Sequence, residues 1–244
     1  MTRLLIILIV LVSINITAQD NCEESKLNVS ANADLVSRYI WRGMEFGENT
    51  PHFQPYLSLG YNLSEAVSFS LGAWGSYGFT GIYNESDLSA TILYSTEKSG
   101  SFSIGLSDYF YPYLGMEYSN YKKEGEGAHT MEIAFNYYGT ECMPIHILVS
   151  NNILNTPKDE KSFYAELGYT FNVKDATLSL FAGGATGISS WHLIPDTGFK
   201  IINAGITAAK SLTINDNLSI PVSVSWIMNP YLKTTYLVGK VTIF

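Results

Sequence analysis

Charge is scarce in this chain. Lys, Arg, Asp and Glu together make 15% of the 244 residues, against about 25% in soluble domains. The balance is −8, which argues against nonspecific binding to nucleic acid. Cysteine is nearly absent as well, with Cys22 and Cys142 alone, so no disulfide-dense scaffold holds this fold. Long apolar runs are missing after the first few residues. Beyond Leu4–Val12 nothing approaches the roughly 20 apolar residues of a spanning helix. No GxSxG, P-loop, dinucleotide fingerprint or H-x-x-x-H spacing occurs. His52, His129, His146 and His192 are scattered. No cofactor and no metal are expected.

What is abundant is aromatic: 17 Tyr, 12 Phe and 4 Trp. Low charge with only mild mean hydropathy, +0.09, suits an object with one apolar and one polar surface. The first 19 residues, MTRLLIILIVLVSINITAQ, read separately. One Arg, an apolar run and small residues at Thr17 and Ala18 are the layout of a secretory signal peptide. Residues 1–19 are therefore read as that signal, 20–26 as a periplasmic N-terminal segment, and 27–244 as the folded domain.

In the stretch SANADLVSRYIWRG, Asp34, Arg38 and Arg42 recur every fourth residue, a spacing that fits both a helix face and a strand face. The longer window decides for the strand. Leu27, Val29, Ala31, Ala33, Leu35, Ser37, Tyr39 and Trp41 occupy odd positions, and Asn28, Ser30, Asn32, Asp34, Val36, Arg38 and Ile40 even ones. Period two separates apolar from polar here. HFQPYLSLGYNL (52–63) repeats the pattern, and Pro55 argues against a helix. Similar alternation covers 67–79, 86–96, 101–111, 129–138, 144–153, 162–172, 177–186, 199–214, 219–228 and 234–244, giving twelve strands. Most run about ten residues, the length of a tilted strand that crosses a bilayer.

The links alternate between short and long. Short ones fall at 64–66, 97–100, 139–143, 173–176 and 215–218; longer ones at 43–51, 80–85, 112–128, 154–161 and 187–198, with the last link, 229–233, a short exception among these. Outer-membrane barrels show this, with short turns on the periplasmic side. Aromatic residues of the apolar face, among them Tyr39, Trp41, Phe53, Tyr61, Tyr77, Tyr94 and Phe110, fall toward strand ends, as in the girdles of such barrels. Lys200 and Lys210 bracket an apolar face of Ile202, Ala204, Ile206 and Ala208. Strands in hydrocarbon cannot leave edge N–H and C=O groups unpaired. The expected fold class is all-β: an up-and-down antiparallel transmembrane barrel of about 12 strands in the outer membrane of a Gram-negative bacterium.

The blocks SANADLVSRYIWRGMEF, FSLGAWGSYG and YNESDLSATILYS, spread over residues 30 to 115, resemble the TorF-type porins, an outer-membrane family of largely unassigned function. The resemblance implies an outer-membrane barrel and supplies no functional residues.

The polar face carries the candidate pore lining: Asp34, Arg38, Arg42, Asp87, Glu132, Glu166 and Lys240, four acids against three bases. Strand pairing sets the two Arg near His52 and Gln54. This points to passive diffusion of small hydrophilic solutes past a polar eyelet leaning weakly to cations, with outer-membrane lipid as the other partner. A filled, non-conducting barrel with a structural role, or one binding partners through its loops, explains the same charges by mutual neutralisation. An outer-membrane, lipase-like enzyme is a third reading, for which His146 and Ser150 are the nearest Ser/His pair; the expectation is no enzyme. Export permits a disulfide between Cys22 and Cys142. The chain ends in Phe244, yet Leu237, Val241 and Ile243 lie on the opposite face of that strand.

Overall fold

The computed structural model describes residues 26–216 and 218–243. The signal segment, Cys22 and Phe244 lie outside the described residues. Among those described, no helix is long and apolar enough to cross a membrane, which bears on helices alone.

Twelve strands close into one antiparallel barrel. In chain order they are β1 (Leu27–Val36), β4 (His52–Asn62), β5 (Val67–Gly78), β6 (Asn84–Thr96), β7 (Gly100–Phe110), β8 (His129–Tyr138), β9 (Ile145–Leu154), β10 (Tyr164–Val173), β11 (Ala176–Ser189), β12 (Ile194–Asn215), β13 (Leu218–Asn229) and β14 (Thr234–Thr242). Each pairs with its neighbours in the wall, and β1 closes against β14. Two further strands, β2 (Tyr39–Trp41) and β3 (Met44–Phe46), pair only with each other.

The side-chain period of two sorts the wall into faces. Leu57 and Leu71 point outward at 47% and 49% exposure. So do Leu59, Leu88, Ile92, Ile104, Ile133, Leu167, Leu180, Val224 and Leu237, with Tyr61, Tyr77, Tyr94 and Trp226 among them. The alternate positions point inward. Toward the short-turn end they are hydroxyls and carboxamides bonded across strands: Thr207 to Ser225 at 2.8 Å, Thr170 to Ser179 at 3.0 Å, Ser101 to Ser95 at 2.9 Å. A sheet with an apolar outside and a polar inside has no edge to expose once it closes.

Three expectations need correction. The first strand stops at Val36, so Tyr39 and Trp41 are not in an outer girdle. The link expected over 187–198 shrinks to 190–193, because β11 and β12 continue pairing to Ser189 and Ile194. A register shift between Gly183 and Gly184 leaves Ile202 out of the ladder. Such a bulge re-aims a side chain, and Ile202 is buried with Tyr164, Ala185 and Ile194 rather than turned outward. Lys200 meets Asp196 at 3.2 Å, and Lys210 pairs with Asp175.

The seam between β1 and β14 is short. Among the described residues, Asp34, Leu35 and Val36 are in register there, opposite Thr242, Val241 and Lys240. Backbone bonds from Ser37 to Gly239 and from Ile243 to Ala33 extend it slightly, both at 2.8 Å.

Candidate functional site

The link between β1 and β4 does not stay at the rim. Its hairpin, β2–β3, turns into the barrel and crosses the interior. The turn at its tip is Arg42-Gly43, and both residues have positive φ, 49° and 76°. A two-residue turn with both central residues in that region is the primed kind that matches strand twist. Gly43 is required twice over. Its φ suits glycine, and a Cβ there would run into the backbone carbonyl of Ile202 on β12. Asn229 on β13 donates to the Gly43 carbonyl at 3.3 Å.

At the tip, Arg42 reaches the wall opposite the hairpin's root. Its guanidinium donates to both oxygens of Glu132 on β8, at 2.7 and 2.9 Å, and to Ser150 on β9 at 2.9 Å. Tyr109 on β7 and Ser150 also donate to Glu132, at 3.0 and 2.9 Å. The guanidinium lies over the rings of Trp41 and Tyr164, 4.3 and 4.2 Å from their centroids. Side-chain exposure is 8% for Arg42 and 4% for Glu132. A fork on a carboxylate satisfies both groups at once, which is what a buried pair needs.

Near the root, Tyr39 packs against His52, Trp74 and Tyr83. Trp41 stacks on His192 at 5.8 Å, and His192 on Tyr164 at 5.9 Å. His192 is buried in the turn 190–193, with Ser189 bonded to its Nδ1 at 3.0 Å. Burial, and then the Arg42 charge, push its pKa from 6.5 down to about 3, so the ring is neutral. Arg38 does not line a strand either. It stays in the hairpin region and pairs with Glu45 of β3 at 3.2 Å.

The other candidates of the polar face do point inward from the wall. Asp34 pairs with Lys240 at 3.0 Å across the seam and accepts from Thr242 at 2.6 Å. His52 and Gln54 both bond Ser76, at 2.9 and 3.1 Å. Glu166 accepts from Tyr164 at 2.5 Å and Asn203 at 2.7 Å. Asp87 faces inward from β6, between Trp74 and Tyr109 in register. The expected neighbourhood of the Arg pair with His52 and Gln54 is replaced by the Arg42–Glu132 pair, because the chain leaves the wall at Ser37. His146 bonds Asn136 at 3.2 Å while Ser150 serves Glu132 and Arg42, so those two are separately engaged. Cys142 is exposed in the β8–β9 turn.

Tyr109 and Tyr164 are site residues that the sequence pattern does not single out, and Ser150 and His192, named there as a Ser/His candidate and a scattered histidine, belong instead to the surroundings of Arg42. For Tyr164 a signal existed. It has the same parity as Glu166, one residue off the outward Phe163.

A family model described as "Bacterial protein of unknown function (Gcw_chp)" matches residues 20–215. The TorF-type likeness stays a resemblance beside it. No curated protein matches. Among solved structures, the chain is similar to one reported as "Unveiling the Mechanism Behind the in-meso Crystallization of Membrane Proteins". Identity is 10% over 87% of this chain and 81% of that one, with a TM-score of 0.50. This is a likeness of fold. The KdgM porin aligns at 11% identity over 87% of this chain and 96% of its own, TM-score 0.44. The transport unit of the autotransporter AIDA-I from Escherichia coli aligns at 10% identity over 93% of both chains, TM-score 0.30.

Proposed function

This chain belongs to the Gcw_chp family of bacterial proteins of unknown function, and from its own side chains we propose an outer-membrane channel for small hydrophilic solutes, narrowed by the β2–β3 hairpin. The observation that carries the reading is the contrast between the two faces of the wall. An aliphatic band with exposed Tyr and Trp surrounds the barrel. An apolar surface of that extent aggregates in water and is at home in a bilayer. The inner wall below the hairpin is hydroxyl and amide, bonded across strands. Such a lining holds water and passes polar solutes by diffusion, with no chemistry at any residue. Lipid of the outer membrane and the solute are then the partners.

The hairpin favours a second reading, a non-conducting barrel whose interior is filled. Its tip is latched to the far wall, and the aromatic packing around Tyr39, Trp41 and Tyr83 closes much of the long-loop end. Single-channel recording in planar bilayers separates the two. Stepwise conductance, raised by opening the latch, supports the channel. A folded protein that is silent both as wild type and with the latch cut supports the filled barrel and ends the channel reading. Liposome swelling with small sugars then sizes the solute.

A further inference from the structure

The outer wall is not smooth, and residue parity shows where. Ala31, Leu57, Ala73, Leu88 and Asp108 stand opposite one another in a row across β1, β4, β5, β6 and β7. Leu57 and Leu88 of that row are exposed on the outside, so Asp108 leaves the wall on the same side. Phe110 and His129, paired one step nearer the long-loop end, share that parity. His129 is nevertheless fully buried.

Its cover is the β7–β8 link, which folds back down the outside of the barrel. The Tyr121 ring stacks on His129 at 3.9 Å, and the Tyr118 ring meets it edge-on at 4.8 Å. His129 Nδ1 lies 2.9 Å from Asp108, and its Nε2 2.6 Å from the Tyr118 carbonyl oxygen. The Tyr121 hydroxyl donates to Asp108 at 2.9 Å. A carboxylate and an imidazole on the outer face are thus partnered beneath a strap of the chain, as groups beside hydrocarbon have to be.

Tyr118 also borders a groove of about 470 Å³ on that face. Leu57, Leu88 and Tyr77 stand around it with Tyr118, and the shorter Ala31 and Ala73 give it depth. At one end Tyr77 lies across Gly75, where a Cβ would run into its ring, and its hydroxyl bonds Ser86 at 3.0 Å. The groove continues the aliphatic band toward the long-loop end, without a break in the apolar surface. It is concave on a wall that is otherwise convex. A second barrel pressed here is convex too, and leaves the depth unfilled at a loss of contacts. A thin, flexible hydrocarbon chain reaches it. Lipid tails are as apolar as Leu, so packing is what fixes one of them in place.

We propose that this groove holds one acyl chain of a membrane lipid in the extracellular leaflet, clasped between the wall and the Tyr118 strap. The strap belongs to a long link, and the short turns face the periplasm, which sets the leaflet. The inference rests on the bilayer setting of the proposed function and is independent of conduction.

The test adds phosphatidylethanolamine with a diazirine in its acyl chain, in equal amount, to the full mature chain in detergent micelles. After illumination the labelled peptides are mapped by mass spectrometry. Labelling concentrated on the groove residues of β4 and β5 and on the strap around Tyr118 is expected. Ala73→Leu, which fills the groove, lowers that labelling at least fivefold by removing the space the chain packs into. Tyr118→Ala, which takes away one side, lowers it as well. Ala208→Leu, at an exposed position on β12, leaves it unchanged. Circular dichroism confirms that each variant keeps its strands. Label spread evenly around the barrel, or undiminished in Ala73→Leu, overturns the site. A dimer in native mass spectra that Ala73→Leu splits assigns the groove to a second copy and overturns the lipid. Flotation with phospholipid vesicles keeps the two proposals apart. A chain that does not float ends the bilayer setting itself; one that floats and labels evenly ends the groove alone.

Discussion

Arg42 and Glu132 lie 90 residues apart in the chain and meet inside the barrel in a two-pronged ion pair, at 2.7 and 2.9 Å. One comes from the tip of a hairpin, the other from the wall it leans on. Their contact ties the hairpin to β8, so it decides whether the hairpin stays across the lumen.

Cutting that tie should free the hairpin. Removing one partner of a buried pair strands the other charge, at about 3–5 kcal/mol. For Arg42→Ala the cost falls on hairpin docking, since the wall keeps its own ladders. The expected outcome is larger conductance and faster amide exchange over 39–46, with the strand spectrum unchanged. Glu132→Gln keeps the shape and loses the charge, so its effect is in the same direction and smaller. Unchanged exchange in Arg42→Ala refutes the latch.

Gly43→Ala reaches the same point without touching a charge. A left-handed non-glycine residue costs about 1–2 kcal/mol, and the added Cβ meets the Ile202 carbonyl. The tip has to back away from β12. Hydrogen exchange over 39–46 should rise as it does for Arg42→Ala, and the combined variant should add little, because both release one docked element.

The seam between β1 and β14 should open first. Among the described residues it is in register from Asp34 to Val36, whereas β11 and β12 pair from Thr177 to Ser189. Amide exchange in β1 and β14 should therefore outrun that in β11 and β12. The Asp34–Lys240 pair is partly exposed, so Lys240→Ala should cost about 0–1 kcal/mol and little more. A cystine engineered with Asp34→Cys and Thr242→Cys, which are directly opposed, should raise the melting temperature far more than Lys240→Ala lowers it.

The wall was legible and the hairpin was not, for one physical reason. A strand in a closed barrel has an apolar side and a polar side along its whole length, so alternation in β4, β6 or β7 reads directly. Tyr39, Ile40 and Trp41 continue the alternation of β1 in phase, although the chain leaves the wall at Ser37. Inside a barrel an aromatic residue can pack as well as it can outside, so residue type does not separate the two places. The turn itself is Arg-Gly, lacking the Asn-Gly or Asp-Gly that announces a primed hairpin. The partner of Arg42 was recognised as an inward acid, but the pairing of tip and wall is long-range and has no local mark. The bulge beside Gly183 is likewise silent in the pattern until the ladder is seen.

The closing of the lumen should also depend on pH, through His192. Its ring is stacked between Trp41 and Tyr164, buried, and close to the Arg42 charge. Both surroundings disfavour the imidazolium, and the pKa falls to about 3 from 6.5. The docked state thus binds fewer protons than the released one. Its stability from this group is complete above pH 6.5 and declines as the pH falls toward 3. At about 1.4 kcal/mol per pH unit, the loss by pH 5 is about 2 kcal/mol. The protection factors over 190–193 and 39–46, which correct exchange for its own pH dependence, should fall between pH 7.5 and pH 5. His192→Gln, which has nothing to protonate, should flatten that dependence; an equally steep response in the variant assigns the effect to another group.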